Sequence, residues 1–110
     1  MTNEEVRELI EALEAEVNNG GFDQFFFNSA GDNSRSTIEA LEMVGAKRTA
    51  EIVRRACARF PGGMPPEDRF TRQDALEEVS PESDVFERDD DAFLAYEEDL
   101  AGLVAAFEGT

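Results

Sequence analysis

The chain has no histidine, no tryptophan and only one cysteine among its 110 residues. Without histidine it lacks the side chain that most often serves as an acid–base catalyst or a metal ligand near neutral pH. A single cysteine cannot form an internal disulfide, which favours a reducing compartment over a secreted fold. From these absences we expect no catalytic activity, no metal site and no other cofactor.

Long apolar runs and basic residues are also scarce. No apolar run approaches the roughly 18 residues of a membrane span and no signal peptide is visible, so we expect a cytoplasmic protein that does not associate with membranes. Only 10 Lys and Arg stand against 26 Asp and Glu, which gives a formal net charge of −16. Because a field of this sign repels phosphates, direct binding to nucleic acid is disfavoured.

Apolar and aromatic residues are numerous enough to form a core. The chain is 41% apolar and contains nine Phe, which is too hydrophobic for a disordered acidic tail. Its length fits one domain spanning residues 1–110. Apolar residues recur at helical spacing, and no stretch shows sustained strand alternation. The sequence therefore predicts an all-α fold, a compact single-domain bundle of about four main helices with additional short ones.

Capping signals and apolar spacing indicate where the helices lie. Thr2 and Glu5 form a capping box at the start of the first helix. The Asn and Gly residues at 18–21 are expected to end that helix, and residues 22–28 to form one or two further helical turns.

Later helices are predicted over about 34–44, 47–60, 71–79 and 89–107. Thr71 is expected to cap the short helix at 71–79, and the helix at 89–107 is expected to be continuous through Phe107.

Charge is distributed unevenly along the chain. Residues 1–18 carry a net −5 and residues 81–110 a net −9, whereas residues 47–60 carry a net +4. The bases of that segment are expected to balance acids within the fold or across a dimer. The acids permit two interpretations: a solvated surface that keeps the protein soluble, or an anionic surface whose own repulsion is relieved when a basic partner binds.

The second interpretation identifies a set of carboxylates as candidate partner-binding residues. Held on rigid helices, they would stand in for the phosphates of a DNA backbone with little loss of ordering entropy on binding. They are taken from the first helix and from the acidic residues at 82–99: Glu4, Glu8, Glu11, Glu82, Asp84, Glu87, Asp89, Asp90, Asp91, Glu97, Glu98 and Asp99.

Three other motifs contain residue types that are found in calcium, nucleophile or phosphate sites, but their sequence context does not match such a site. The Asp89-Asp90-Asp91 run lacks the alternating ligands, turn glycine and distal Glu of a calcium loop, and it fits a helix N-terminus better. Cys57 lies on the apolar side of its predicted helix, where a core residue is expected. Gly62 and Gly63 are not followed by the lysine of a phosphate-binding loop.

The most specific string of the sequence runs from Asn18 to Asn28. Its Phe residues fit a core hinge between the first two helices, and Gln24 and Asn28 are expected to satisfy backbone groups freed at the helix ends. The alternative is a groove in which exposed Phe and amide side chains contact a partner.

This string resembles the bacterial family of DNA mimic protein 19, which is also described as a domain of unknown function. The similarity extends over roughly residues 3–107. The matching residues are Asn19-Gly20-Gly21-Phe22, Gln24-Phe25-Phe26, Asn28, Thr37-Ile38-Glu39-Ala40-Leu41, Gly45-Ala46, Phe60-Pro61-Gly62-Gly63, Pro65-Pro66 and Asp68-Arg69, followed by a closing helix after Phe86 and Phe93. These apolar, Gly, Pro and amide residues have the character of fold determinants rather than of partner contacts.

The resemblance implies an all-α fold, and it implies that at least one member is an acidic dimer that imitates DNA and occupies the DNA-binding surface of a transcription factor. We therefore expect an acidic DNA-mimic-like protein that binds the basic surface of a DNA-binding protein and blocks or regulates its access to DNA. Whether this chain forms a homodimer stays an open question at the level of the sequence.

Two other hypotheses belong to different classes. One is a non-enzymatic adaptor or immunity-like protein that recognises its partner through the Phe-rich hinge or the Pro-Gly loop, with the acids serving solubility only. The other is an enzyme with an unrecognised carboxylate site, which a buried carboxylate pair in a closed pocket would favour.

Overall fold

The computed structural model describes residues 1–109, and every regular element within them is a helix. The elements are α1 (Asn3–Phe27), α2 (Ser34–Met43), α3 (Lys47–Cys57), α4 (Arg69–Val79), α5 (Glu87–Leu94) and α6 (Leu100–Glu108), with 3-10 turns at Ser29–Asn33 and Pro61–Gly63. The predicted all-α fold of main and short helices is confirmed. No helix in this described part of the chain combines the length and apolarity that crossing a membrane requires.

The first helix organises the molecule, because α2, α4, α5 and α6 all pack against it. Its N-terminal half buries four aliphatic residues at helical spacing, Val6, Ile10, Leu13 and Val17. The predicted start of the helix is confirmed, since the Glu5 amide donates to Thr2 Oγ1 at 3.0 Å. Local sequence signals therefore suffice to determine this half of α1.

The predicted end of the first helix is a break instead. Gly20 and Gly21 leave helical geometry, with Gly21 at a φ of 70°, yet the chain resumes a helical path as far as Phe27. The break frees the Phe22 amide, which donates to Asp90 Oδ1 at 2.8 Å. A carboxylate from α5 thus supplies the acceptor that the restarted helix lacks at its own N-terminus.

Phenylalanine rings fill the core behind this break. Phe22, Phe25 and Phe26 are fully buried, and the Phe26 ring lies 5.2 Å from that of Phe86. The core hinge is therefore confirmed. The alternative in which the Phe-rich segment contacts a partner is wrong for these three rings and stays open only for Phe27, which is 52% exposed.

The predicted final helix is divided into two. After α5 the chain turns at Tyr96, whose φ is 44°, and the Asp99 carboxylate accepts the Gly102 amide at 3.1 Å to cap α6. The continuous helix was a wrong prediction, because apolar residues keep a helical spacing across the turn although the backbone does not.

Two other helix ends differ from prediction. The N-cap of α4 is Asp68 rather than Thr71, since the Asp68 carboxylate accepts the amide and the hydroxyl of Thr71 at 2.8 and 2.7 Å. Helix α3 ends at Cys57 instead of continuing to Phe60. The Phe60 amide donates to the Cys57 carbonyl in a turn. Cys57 is a buried core residue, as expected, and burial raises the pKa of its thiol to about 12.

Candidate partner-binding surface

The carboxylates predicted to bind a partner divide into two groups by what their side chains contact. One group is exposed, and within residues 1–109 its side chains neither accept a hydrogen bond nor pair with a base; we call it the free carboxylates. Its members are Glu4, Glu8, Glu11, Glu82, Asp84, Glu87 and Asp91. The second group has partners within the fold: Asp89, Asp90, Glu97, Glu98 and Asp99.

The free carboxylates come from two helices and one loop. Glu4, Glu8 and Glu11 follow an i, i+4, i+7 spacing on α1, which keeps neighbouring side chains about 5–6 Å apart on one face. The other free carboxylates lie in the loop before α5 and on α5 itself, and α5 packs against α1. These residues are the part of the predicted surface that the structure leaves available.

Asp89 is removed from the predicted surface. Its side chain is 0% exposed and lies between Arg55 of α3 and Arg59 of the turn that follows α3, with Arg59 Nε at 2.6 Å and Arg55 Nε at 3.2 Å from its oxygens. A carboxylate at this depth requires such partners, because burying it unpaired would cost several kcal/mol. Asp89 therefore joins α5 to α3 and cannot contact a second protein.

Asp90 also faces the interior of the fold. It is half-buried, and burial raises the pKa of its carboxyl. The Phe22 amide opposes that shift by donating to the Asp90 carboxylate, while the charges of Asp23, Asp89 and Asp91 raise the pKa further. Its role is to receive the amide freed at the break in α1.

Glu97, Glu98 and Asp99 serve the helices that flank them. Glu98 accepts the Arg48 amide at 3.1 Å and both the amide and hydroxyl of Thr49 at 2.7 Å, so it caps the N-terminus of α3. Burial raises the pKa of Glu98, but these hydrogen bonds outweigh it and leave the pKa below its usual value. Glu97 pairs with Arg48 at 3.5 Å, and Asp99 caps α6.

The basic helix α3 is largely neutralised inside the molecule. Besides the pairs of Arg55 and Arg59 with Asp89, Arg54 pairs with Glu42 at 2.7 Å. The expectation that these bases balance acids within the fold is confirmed. The arginines pair with acids other than the free carboxylates.

Two amide residues of the specific string, Gln24 and Asn28, bind a carboxylate rather than the freed backbone groups that were predicted as their partners. Gln24 Nε2 and Asn28 Nδ2 donate to the same oxygen of Glu16 at 2.9 and 2.8 Å, and Asn19 Nδ2 donates to Gln24 Oε1 at 3.1 Å. The network joins the two halves of α1 across the glycine break. No local signal distinguishes Glu16 from the other acids of the same helix.

Arg72 is a second structural residue that was not predicted from the sequence. Its side chain is fully buried; its guanidinium donates to the carbonyls of Phe26 and Asn28 at 2.7 and 2.9 Å, and to the Asp32 carboxylate at 2.7 Å. It also donates to two carbonyls of the loop that follows the Pro61-Gly62-Gly63 turn, those of Pro66 and Glu67. Its position four residues before the buried Leu76 was the one available signal.

The Pro-Gly loop connects α3 to α4. Gly62 and Gly63 have φ values of 83° and 85°, which suit glycine, and Pro65 is buried at the end of the loop. No group of three or more His, Cys, Asp or Glu within residues 1–109 is arranged to hold a metal ion.

Comparison with known proteins relates the chain to one family. No curated protein and no solved structure matches it. The family model described as DMP19-like protein matches residues 4–108, a span that includes the glycine break, the aromatic core, the Pro-Gly loop and all of the free carboxylates. The chain belongs to the DMP19-like protein family.

Proposed function

We propose that the chain is a non-enzymatic DNA mimic of the bacterial cytoplasm, which binds the basic DNA-binding surface of another protein, such as a transcription factor, and regulates its access to DNA. The observation that carries the proposal is the set of free carboxylates. They remain exposed and unpaired although residues 47–60 carry five bases, because the four arginines of that segment pair with other acids.

Rigidity supports the proposal. The α1 carboxylates stand on a helix whose opposite face is fully buried, and α5 is held to α3 through Asp89. Anionic groups fixed on such supports lose little conformational entropy when a basic surface binds. They also resemble duplex DNA in releasing counterions on binding, so affinity should fall steeply as salt rises.

The test is capture from a bacterial extract on the immobilised chain at low salt, followed by elution with duplex DNA. We expect the DNA eluate to be enriched in DNA-binding proteins, and we expect the captured proteins to dissociate as salt is raised. An eluate without that enrichment, or retention that is insensitive to salt and DNA, would overturn the proposal.

Matched variants identify the surface. Two triple substitutions remove three charges each from the free carboxylates: Glu4→Gln, Glu8→Gln, Glu11→Gln in one, and Glu82→Gln, Asp84→Asn, Glu87→Gln in the other. A control removes three other exposed, unpaired acids: Glu39→Gln, Glu67→Gln, Glu78→Gln. Each test variant should reduce capture more than the control; equal losses in all three would mean that net charge alone matters, without a defined surface.

A further inference from the structure

A groove runs between the C-terminal end of α1 and α4. It has a volume of about 620 Å³ and is closed at one end by the loop that follows α4. Asp23 and Phe27 line it from α1, and Asp74 and Glu77 from α4, whereas none of the described residues that line it is Lys or Arg. The groove thus combines an aromatic wall with uncompensated negative charge.

One exposed aromatic ring, that of Phe27, lines the groove, and α4 carries a second exposed ring, that of Phe70. Phe27 is 52% exposed and Phe70 is 75% exposed. Phe70 shares one face of α4 with Gln73, Asp74 and Glu77, because these residues follow an i, i+3, i+4, i+7 spacing. Large apolar side chains exposed beside a groove mark a surface that another molecule covers.

The two walls of the groove are fixed relative to each other. Gln73 Nε2 donates to the Phe27 carbonyl at 2.8 Å, and the buried Arg72 beside it binds the Phe26 carbonyl at 2.7 Å. A ligand would therefore meet a groove that is already formed, which lowers the entropy lost on binding.

The carboxylates of the groove lack positive partners. Asp74 and Glu77 are exposed, with no hydrogen bond or ion pair to their side chains among residues 1–109. Burial raises the pKa of Asp23, a hydrogen bond with Ser80 opposes that shift, and the charge of Asp84 adds to it. A cation that enters the groove would relieve this repulsion.

We propose that this groove binds an arginine side chain of the partner protein, with the guanidinium paired to Asp74 and Glu77 and its flat face stacked on Phe27. Arginine fits better than lysine because its planar guanidinium pairs with carboxylates through two parallel hydrogen bonds while it stacks on a ring. A second copy of the chain fits poorly, because it carries a net −16 and is repelled. The inference rests on the proposed function and names the anchor by which the partner is held.

The experiment is an NMR titration of the ¹⁵N-labelled full chain with two synthetic probes of equal charge, a hexa-arginine and a hexa-lysine peptide. We expect hexa-arginine to shift the amides around Phe27, Gln73 and Glu77 most, and to bind more tightly than hexa-lysine. Shifts of the same pattern and affinity with both peptides would overturn the arginine assignment. Groove shifts that depend on protein concentration without peptide would assign the groove to a second copy instead.

Two pairs of variants separate the ring from the charges. Phe27→Ala should weaken hexa-arginine binding about twofold to fivefold, as expected for loss of one exposed cation–π contact. Met43→Ala, which truncates an apolar residue of α2 that is 45% exposed, should leave binding unchanged. Asp74→Asn with Glu77→Gln should weaken binding more than the charge-matched Glu39→Gln with Glu67→Gln. Equal effects within either pair would refute the corresponding contact.

Failure of this inference is distinguishable from failure of the proposed function. If the triple substitutions of free carboxylates abolish capture of DNA-binding proteins while Phe27→Ala and the Asp74/Glu77 variant leave it intact, the DNA mimic stands and the arginine groove is wrong. If hexa-arginine occupies the groove but capture shows no DNA-binding proteins, the groove stands as a cationic-peptide site and the DNA mimic is wrong.

Discussion

Gly21 and Asp90 are the residues on which the break in α1 depends. Gly21 has a φ of 70°, and a Cβ on it would collide with the Asp90 carboxylate. Gly45 also has a positive φ, of 84°, but nothing lies within 4 Å of the place that its Cβ would take. We expect Gly45→Ala to lower the free energy of unfolding by about 1–2 kcal/mol through backbone strain alone, and Gly21→Ala to lower it further.

Urea denaturation of both variants measures the difference. Adding Asp90→Ala to Gly21→Ala should remove the collision, so the two losses should be less than additive. Equal losses for the two glycine variants would show that the carboxylate does not restrict Gly21.

Asp90 accepts the Phe22 amide with a carboxylate oxygen, but the oxygen of a neutral side chain can accept the same hydrogen bond. Its carboxyl has a raised pKa, chiefly because of burial. The contribution of such a group to stability is fully present below its unfolded pKa of 3.8 and declines as pH rises through the folded pKa. Asp90→Asn keeps an oxygen for the Phe22 amide, so at about pH 7 we expect it to be at least as stable as the wild type, whereas Asp90→Ala should lose about 1–3 kcal/mol.

Unfolding between about pH 7 and pH 4 checks the sign, because any advantage of Asp90→Asn should shrink as the wild-type carboxyl becomes protonated. An Asn variant that is clearly less stable than the wild type at neutral pH would mean that the charge itself is required.

At the scale of elements, α3 depends on a cap from a distant part of the chain. Ala46 occupies its N-cap position without a side-chain hydrogen bond, and Glu98 accepts the Arg48 and Thr49 amides in its place. We expect Glu98→Ala to lower the free energy of unfolding by about 1–2 kcal/mol, the usual value of a cap. Glu97→Ala removes only an exposed ion pair and should cost about 0–1 kcal/mol.

The pH dependence of the Glu98 effect has a defined sign. Burial raises the pKa of Glu98, but its hydrogen bonds outweigh burial and lower the net value. The stabilisation is therefore present above the unfolded pKa of 4.5 and is lost as pH falls through the folded pKa. Thermal unfolding of wild type and Glu98→Ala should converge in that acid range; a difference that is constant with pH would contradict a role for the ionised carboxylate.

The same elements show which parts of the fold the sequence could predict. The start of α1 was predictable because Thr2 and Glu5 are three residues apart and signal a cap locally. The division between α5 and α6, and the roles of Glu98 and Arg72, were not, because Glu98 meets Thr49 across 49 residues and Arg72 meets Phe26 across 46. Periodicity reports which face of a segment is apolar, but it does not report which distant carbonyl or amide needs a partner.

At the scale of the whole molecule, the sequence predicts the excess of negative charge but not which acids remain free. Residues 89–91 are three identical side chains in a row, yet the structure buries Asp89 between arginines, turns Asp90 to the break in α1 and leaves Asp91 exposed. The placement of α3 and of α1 against α5 decides among them. The structure therefore leaves the predicted carboxylates of α1 and part of those in the 82–91 segment exposed, and it removes Asp89 and Asp90 from the candidate surface.

We expect Glu8→Gln to raise the stability of the fold, because it removes charge repulsion, and to weaken partner binding. Glu8 has like-charged neighbours one turn away on both sides, Glu4 and Glu11, so Glu8→Gln should raise the free energy of unfolding by a few tenths of a kcal/mol per pair. Glu39 has Arg35 one turn before it, so Glu39→Gln should lower stability slightly. Raising salt from about 0.01 to 0.1 M shortens the screening length from about 30 to 10 Å and should stabilise the wild type more than Glu8→Gln.

Urea denaturation at both salt concentrations, with capture of DNA-binding proteins in parallel, tests this opposition. Glu8→Gln should gain stability and lose binding, because a carboxylate that is retained at a cost to the fold must contribute elsewhere. If Glu8→Gln instead loses stability, the α1 carboxylates support the fold, and their exposure no longer argues for a partner.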